Sequence, residues 1–189
     1  MGTCQTDIVI SCGLAGASDD KLKFGDIVVA NKVIQHDVVA YVGDEIKQRK
    51  LRMYKNEKWK KVDWMNCNKI FIEWCKKAFS SIENGKMPYF IGTIVTGDQL
   101  ILSKKHRNRI SKDYNALAID MESASIAHVC DMFNVGFGSL RVISDTDEIE
   151  VGGDITPSLI KHRRQDVKKC SALCAIAIKK VLKDISWEK

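Results

Sequence analysis

A chain of 189 residues, 45% hydrophobic and 29% charged, fits a single domain over residues 1–189, because one core typically serves about 50–200 residues. The composition excludes disorder, and no apolar run approaches the ~20 residues of a membrane helix. Met1–Asp7 has neither a basic nor an apolar region, so no cleaved signal is expected.

In chain order, Thr6–Cys12 (TDIVISC) is continuously apolar and β-branched, as in a strand buried on both faces, and is expected to break at Gly13-Leu14-Ala15-Gly16-Ala17. Gly25-Asp26 opens a second strand, IVVA, and Val38–Val42 forms a third. Asp44–Trp64 is polar and aperiodic and reads as a surface excursion or irregular hairpin. Asn66–Asn84 carries Ile70, Phe71, Trp74, Ala78 and Ile82 at helical spacing, with Gly85 and Pro88 as a stop. Tyr89–Val95 is a strand ending in Thr96-Gly97-Asp98. Ala116–Ile119 is a short strand, and a helix follows over Met121–Asn134. Phe137–Ile143 is a strand halted by Ser144-Asp145-Thr146-Asp147. A last helix spans about Pro157–Ile185, with Leu173, Ile176, Ala177 and Val181 on one side. Strands alternating with helices predict an α/β fold with a mostly parallel central sheet flanked by helices.

The net charge of +6 is concentrated: Asp44–Trp64 has eight basic and four acidic residues, and Lys161–Lys189 has nine and three. No zinc-finger, RNP-like or homeodomain pattern accompanies these patches, and Tyr54, Trp59 and Trp64 are not spaced for base stacking. Solvated faces are favoured over a nucleic-acid partner. Seven cysteines without C-x-x-C spacing argue against disulfides and a zinc site, and for a reducing cytoplasmic location. Cys170 and Cys174 are packing positions before they are ligands. None of the four histidines has metal-ligand spacing, and His128 reads as a helix residue.

Ligands of open α/β sheets collect outside the carboxyl ends of strands. Such ends carry Gly13–Gly16, Asp98, Glu122 and Asp145 here. Each has a bland alternative: a tight turn, a turn cap, a dipole-favoured helix acid and an N-cap. Two carboxylates at two strand ends is a pairing that acid–base chemistry uses, yet spacing alone leaves the choice open.

The wording of the chain goes further. AIDMESASIAHVCDMFNVGFGSLRVISD (118–145) resembles the signature region of the 5′-methylthioadenosine/S-adenosylhomocysteine nucleosidases, of the purine nucleoside phosphorylase superfamily. GLAGA (13–17), KFGDIVVA (23–30), HDVVAY (36–41) and GTIVTGDQLI (92–101) match the same family in the same order. The resemblance implies a nucleoside phosphorylase-like three-layer fold, no cofactor, a small nucleoside substrate and a homodimer. The implied activity is hydrolysis of the N-glycosidic bond of 5′-thio-adenosines. Residue by residue, it implies Asp145 as the acid that protonates adenine N7 and Glu122 as the acceptor for the ribose hydroxyls. Met121 would pack on the sugar, Leu100 and Ile101 would hold the adenine, and Ala15 and Gly16 would line the site. Val38 and Tyr41 would wall the 5′-alkylthio group, and Arg141 and Ser144 would orient Glu122 and Asp145.

Three departures qualify this. Leu100 stands where the family commonly has an aromatic, and Leu14 where it has a small hydroxyl residue. The family's water-activating glutamate lies in an N-terminal segment with no counterpart in this sequence, so a truncated or shortened chain with its first strand short of neighbours is expected. A phosphorylase, or a silent nucleoside binder, is the alternative function. A phosphorylase wants an arginine near the glycines, and Gly13–Ser18 offers none.

Overall fold

The first strand does not stop at its glycines. In the computed structural model, which describes residues 5–81, 87–146 and 157–183 (side chains from 164 on in the last stretch), β1 runs unbroken over Ile8–Ala17. The expected turn at Gly13 is absent for a packing reason. A Cβ on Gly13 would stand 3.4 Å from Nη1 of Arg141, so this glycine admits a buried guanidinium alongside the strand rather than bending it.

The remaining elements are β2 (Ile27–Gln35), β3 (Val39–Val42), β4 (Glu45–Gln48), β5 (Leu51–Lys55), β6 (Lys58–Val62), β7 (Met65–Asn66), α1 (Lys69–Ser80), β8 (Tyr89–Thr96), α2 (Lys104–Tyr114), β9 (Ala116–Asp120), α3 (Ser123–Met132), β10 (Gly136–Asp145) and α4 (Pro157–Lys183). The main sheet has the order β10-β1-β9-β8-β2-β7, and β10 also pairs with β2, so five strands close on themselves. Its long pairings, β1 with β10, β2 with β8 and β8 with β9, are parallel as expected. β10 with β2 and the short contacts β1–β9 and β2–β7 are antiparallel. β1 pairs with β10 from Ile8 to Gly16, and with β9 at Gly16 and Ala17.

Both faces of this sheet are covered, which explains the uninterrupted apolar strands. Along β2, Ile27 and Val29 face α1 and α4, where they meet Phe71, Cys75, Cys170, Cys174 and Ala177. Val28 and Ala30 face α3 and its Ala124, Ala127 and Cys130. α1 starts at Asn68, whose Oδ1 accepts from the N–H groups of Ile70 and Phe71 at 2.8 and 3.1 Å. Its buried stripe is Phe71, Cys75, Ala78 and Phe79, while Ile70 is exposed; Ile82 and Gly85 lie outside the described residues. α4 likewise buries Cys170, Cys174, Ala177 and Val181 and leaves Ile176 exposed.

The six described cysteines are free, and among the described residues no cluster of three or more His, Cys, Asp or Glu is placed to hold a metal. Cys12 lies beside Cys174, and that contact holds the Cys174 thiol below its ordinary value against the opposing effect of burial. No described helix is long and apolar enough to cross a membrane.

The basic excursion forms two ribbons, β3–β4 and β5–β6. The second turns at Asn56 and Glu57, both with positive φ (52° and 59°), the geometry that matches strand twist in a two-residue hairpin. Lys55 ties this ribbon to α3 through Asp131 at 2.6 Å, and Lys50 pairs with Asp63 at 2.6 Å.

Candidate active site

A cavity of about 300 Å³ opens where the carboxyl ends of β1, β9 and β10 converge with the segment after β8. β1 contributes Leu14, Ala15 and Gly16; β9 and the residues after it contribute Ile119, Asp120, Met121 and Glu122. Ser144 and Asp145 come from β10, Gln99, Leu100 and Ile101 from beyond β8, Arg107 from α2 and Val167 from α4. Eight of the eleven residues singled out from the sequence therefore meet at one opening: Ala15, Gly16, Leu100, Ile101, Met121, Glu122, Ser144 and Asp145.

The floor is a buried polar network centred on Asp120, whose side chain is 0% exposed. Arg141 Nε donates to it at 2.8 Å and Thr96 Oγ1 at 2.5 Å. The Ser123 hydroxyl and the Ser123 N–H donate as well. Thr96 Oγ1 accepts in turn from the N–H of Ala124, and Ser123 bonds Ser139. A buried carboxylate this well supplied with donors is the condition under which burying its charge is tolerated. Arg141 extends from here to Ser11 Oγ at 3.0 Å and to Glu122 Oε2 at 3.8 Å.

Arg141 therefore lies behind Glu122, held on Asp120 and within ion-pair distance of the Glu122 carboxylate. Among the described residues, Arg107 is a cation beside Asp145, with Nη2 3.5 Å from Oδ1. Ser144 stands on the cavity wall. Glu122 begins α3 without a side-chain capping bond, so its carboxylate, 62% exposed, is directed to the opening rather than spent on its helix. Asp145 is 20% exposed; the residues 147–156, which bear on its N-cap alternative, lie outside the described set. Leu100 and Met121 are largely exposed at the rim.

Val38 and Tyr41 are not among the lining residues. They sit at the β3–β4 ribbon, which pairs as a separate two-stranded sheet, and Tyr41 is 73% exposed. The sequence reasoning also missed Asp120, Gln99 and Arg107. Asp120 carried a readable signal, a lone carboxylate closing the apolar strand ALAI. Arg107 carried none, being one of several cations in KKHRNR.

The bend after β8 depends on Gly97, where any Cβ would collide with the imidazole of His36. His36 is buried, and among the described residues its Nε2 has no hydrogen-bond partner. Burial holds its pKa below the ordinary 6.5, with the Asp37 charge opposing. The folded chain thus binds this proton less readily than the unfolded one, so stability falls as pH drops below about 6.5. His36→Gln is expected to flatten that fall. Urea midpoints at pH ~7.5 and ~5.5 measure it; equal differences in both proteins would assign the effect elsewhere.

A family model described as the phosphorylase superfamily matches residues 1–184. The chain belongs to this superfamily. Within it, a 5′-methylthioadenosine/S-adenosylhomocysteine nucleosidase of Staphylococcus aureus is 33% identical over 146 residues, covering 75% of this chain and 58% of that protein. The chain thus spans under two thirds of the length of such a superfamily relative. A nucleosidase of the same name from Neisseria meningitidis, solved with methylthio-immucillin-A, superposes with a TM-score of 0.73 at 26% identity, over 95% of this chain and 70% of that one. The futalosine hydrolase of Helicobacter pylori superposes with a TM-score of 0.70 at 22% identity, over 95% and 69%. The latter likeness establishes the superfamily fold alone.

Proposed function

We propose that the chain cleaves the N-glycosidic bond of 5′-methylthioadenosine and S-adenosylhomocysteine by hydrolysis. The observation that carries this reading is that Asp145 and Glu122, from two different strand ends, open onto one cavity. Leu100 and Ile101 hold the purine edge-on between them and Asp145. Asp145 gives a proton to adenine N7 as the bond from N9 to C1′ breaks, so adenine leaves neutral. Glu122 accepts from the ribose hydroxyls, and its negative charge favours the positive charge that develops on the sugar. Met121 covers the sugar, and Ala15 and Gly16 let it approach the β1 backbone. Water adds to C1′ as the new C–O bond forms, and its proton passes to bulk solvent, from which Asp145 recovers the proton it gave up. None of these steps draws on a metal or cofactor.

The arrangement of arginines favours water over phosphate. The guanidinium beside Gly13 belongs to Arg141, and Asp120 and Ser11 occupy it, while Arg107 lies on the side of Asp145. The names of the relatives support the 5′-thio-adenosine class. A homodimer accounts for Val38 and Tyr41. Tyr41 and Ile46, paired across the β3–β4 ribbon, are exposed apolar side chains, and the proposed dimer sets them beside the cavity of a second copy. The free cysteines fit the cytoplasm.

The test is adenine release from 5′-methylthioadenosine with and without phosphate. Adenine in phosphate-free buffer is expected. A phosphate requirement makes the chain a phosphorylase, and tight binding without turnover makes it a nucleoside binder.

A further inference from the structure

Helix α2, KKHRNRISKDY, is polar but for the half-buried Ile110 and Tyr114, and the residue it buries fully is an arginine. Arg107 is 4% exposed. A guanidinium is costly to bury and stays buried only when geometry and hydrogen bonds repay its lost hydration. Its neighbours Lys104, Lys105 and Arg109 face water, while Ile110 and Tyr114, on the same side as Arg107, pack against Val95, Ala116 and Ile119. Something in the protein holds Arg107 inward.

Its contacts say what. Nη1 donates to the backbone carbonyl of Asp145 at 3.4 Å and Nη2 to that of Leu102 at 3.4 Å. Nη2 also meets Asp145 Oδ1 at 3.5 Å. One planar group thus spans the end of β10 and the segment that follows Leu100 and Ile101, the two chain segments on opposite sides of the purine position. The helix carrying it is fixed at both ends. The Ser103 hydroxyl accepts from the N–H of His106 at its start, and Asn115 ends it in the left-handed conformation, φ 47°. The start of α2 therefore cannot shift without moving Leu102, and Arg107 cannot move without releasing Asp145.

We infer that Arg107 is a positioning residue that clamps the carboxylate of Asp145 and the Leu100–Leu102 segment at the separation required by a purine whose N7 faces Asp145. This rests on the role proposed for Asp145. A fork of fixed donors suits this task better than an ammonium, because it engages two segments at once.

Two ligands that resist hydrolysis read the clamp at equilibrium in the 189-residue chain, whether or not it turns over. One is a 5′-methylthio C-nucleoside of 9-deazaadenine, which carries a hydrogen on N7 and donates it to the Asp145 carboxylate. The other is 5′-methylthiotubercidin, which has carbon at that position and makes no such bond. Calorimetric titration of the wild type is expected to favour the first by at least about tenfold, the worth of one hydrogen bond to a charged group. Arg107→Met is expected to bring that ratio to within about threefold, with Arg107→Lys intermediate. A purely structural role would weaken both ligands by the same factor and keep the ratio, and that result, or an unchanged Arg107→Met, overturns the clamp. Asp145→Ala must abolish the preference. A wild type without the preference, or one that binds neither ligand, overturns the proposed role of Asp145 instead. Thermal melts of each variant separate loss of fold from loss of ratio.

Discussion

Asp145→Asn is expected to lower the rate of adenine release by about 10²–10⁴-fold, the range a positioned general acid supplies. The amide has the size and shape of the carboxyl and keeps an oxygen for Arg107 at 3.5 Å, so the fold and substrate affinity should persist. What it lacks is a proton it can transfer to N7. The loss should therefore fall on kcat, with KM changed little, because the interaction develops in the transition state. A 5′-methylthioriboside whose leaving group is 4-nitrophenol needs no protonation, and its cleavage should be nearly indifferent to the substitution. Steady-state rates on the two substrates make the comparison. A mutant within about tenfold of wild type on the adenine nucleoside, or one equally impaired on both, removes Asp145 from the acid role.

The second large effect concerns stability. Arg141→Met is expected to cost about 3–5 kcal/mol, the range for removing one partner of a buried ion pair. The side chains of Arg141 and Asp120 are 2% and 0% exposed, so no solvent is at hand to replace the lost cation. Methionine fills much of the volume but leaves Asp120 charged with only neutral donors. Against a typical total stability of about 5–15 kcal/mol, this is a large fraction. It corresponds to a melting temperature lower by roughly 6–20 °C for a chain of this size. Replacing both partners, Asp120→Leu with Arg141→Met, should recover part of the loss, because the stranded charge is then gone. Circular dichroism melts decide the matter: a single mutant within about 3 °C of wild type would show that the network does not depend on Arg141.

Most of the architecture was readable because burial on both faces leaves an unmistakable mark. IVVA of β2, IVIS of β1 and ALAI of β9 are apolar without alternation, and that follows from helices on both sides of the sheet. Ends were harder. Gly13 looked like punctuation, yet in the structure it is room for Arg141, and nothing local separates those two uses of glycine. Helix α2 escaped notice because its fully buried residue is charged, and Ile110 and Tyr114 alone are too few to show the apolar period by which helices are found. Its only marks were Ser103 before it and Asn115 after it. The candidate site divides the same way. Asp145 and Glu122 were visible as carboxylates at strand ends. Arg107 and Asp120 gain their places from contacts across 38 and 21 positions of chain, which no short window contains. Val38 and Tyr41 illustrate the reverse, residues legible by resemblance that the protomer keeps apart from its own cavity.

The closed ring of strands has a consequence for how the molecule is made. β1 takes its long pairing from β10, Ile8 lying opposite Gly136, so β1 waits for a strand synthesised much later. At ordinary synthesis rates that wait is on the order of ten seconds. Throughout it the nascent chain carries an apolar strand with an unpaired edge, the kind of segment that nucleates aggregation or recruits chaperones. The cavity cannot exist in any shorter nascent form, because Asp145 is both its proposed acid and the residue that closes β10. Interruptions of translation before that point should thus lower the yield of protein while leaving the activity of each finished molecule intact.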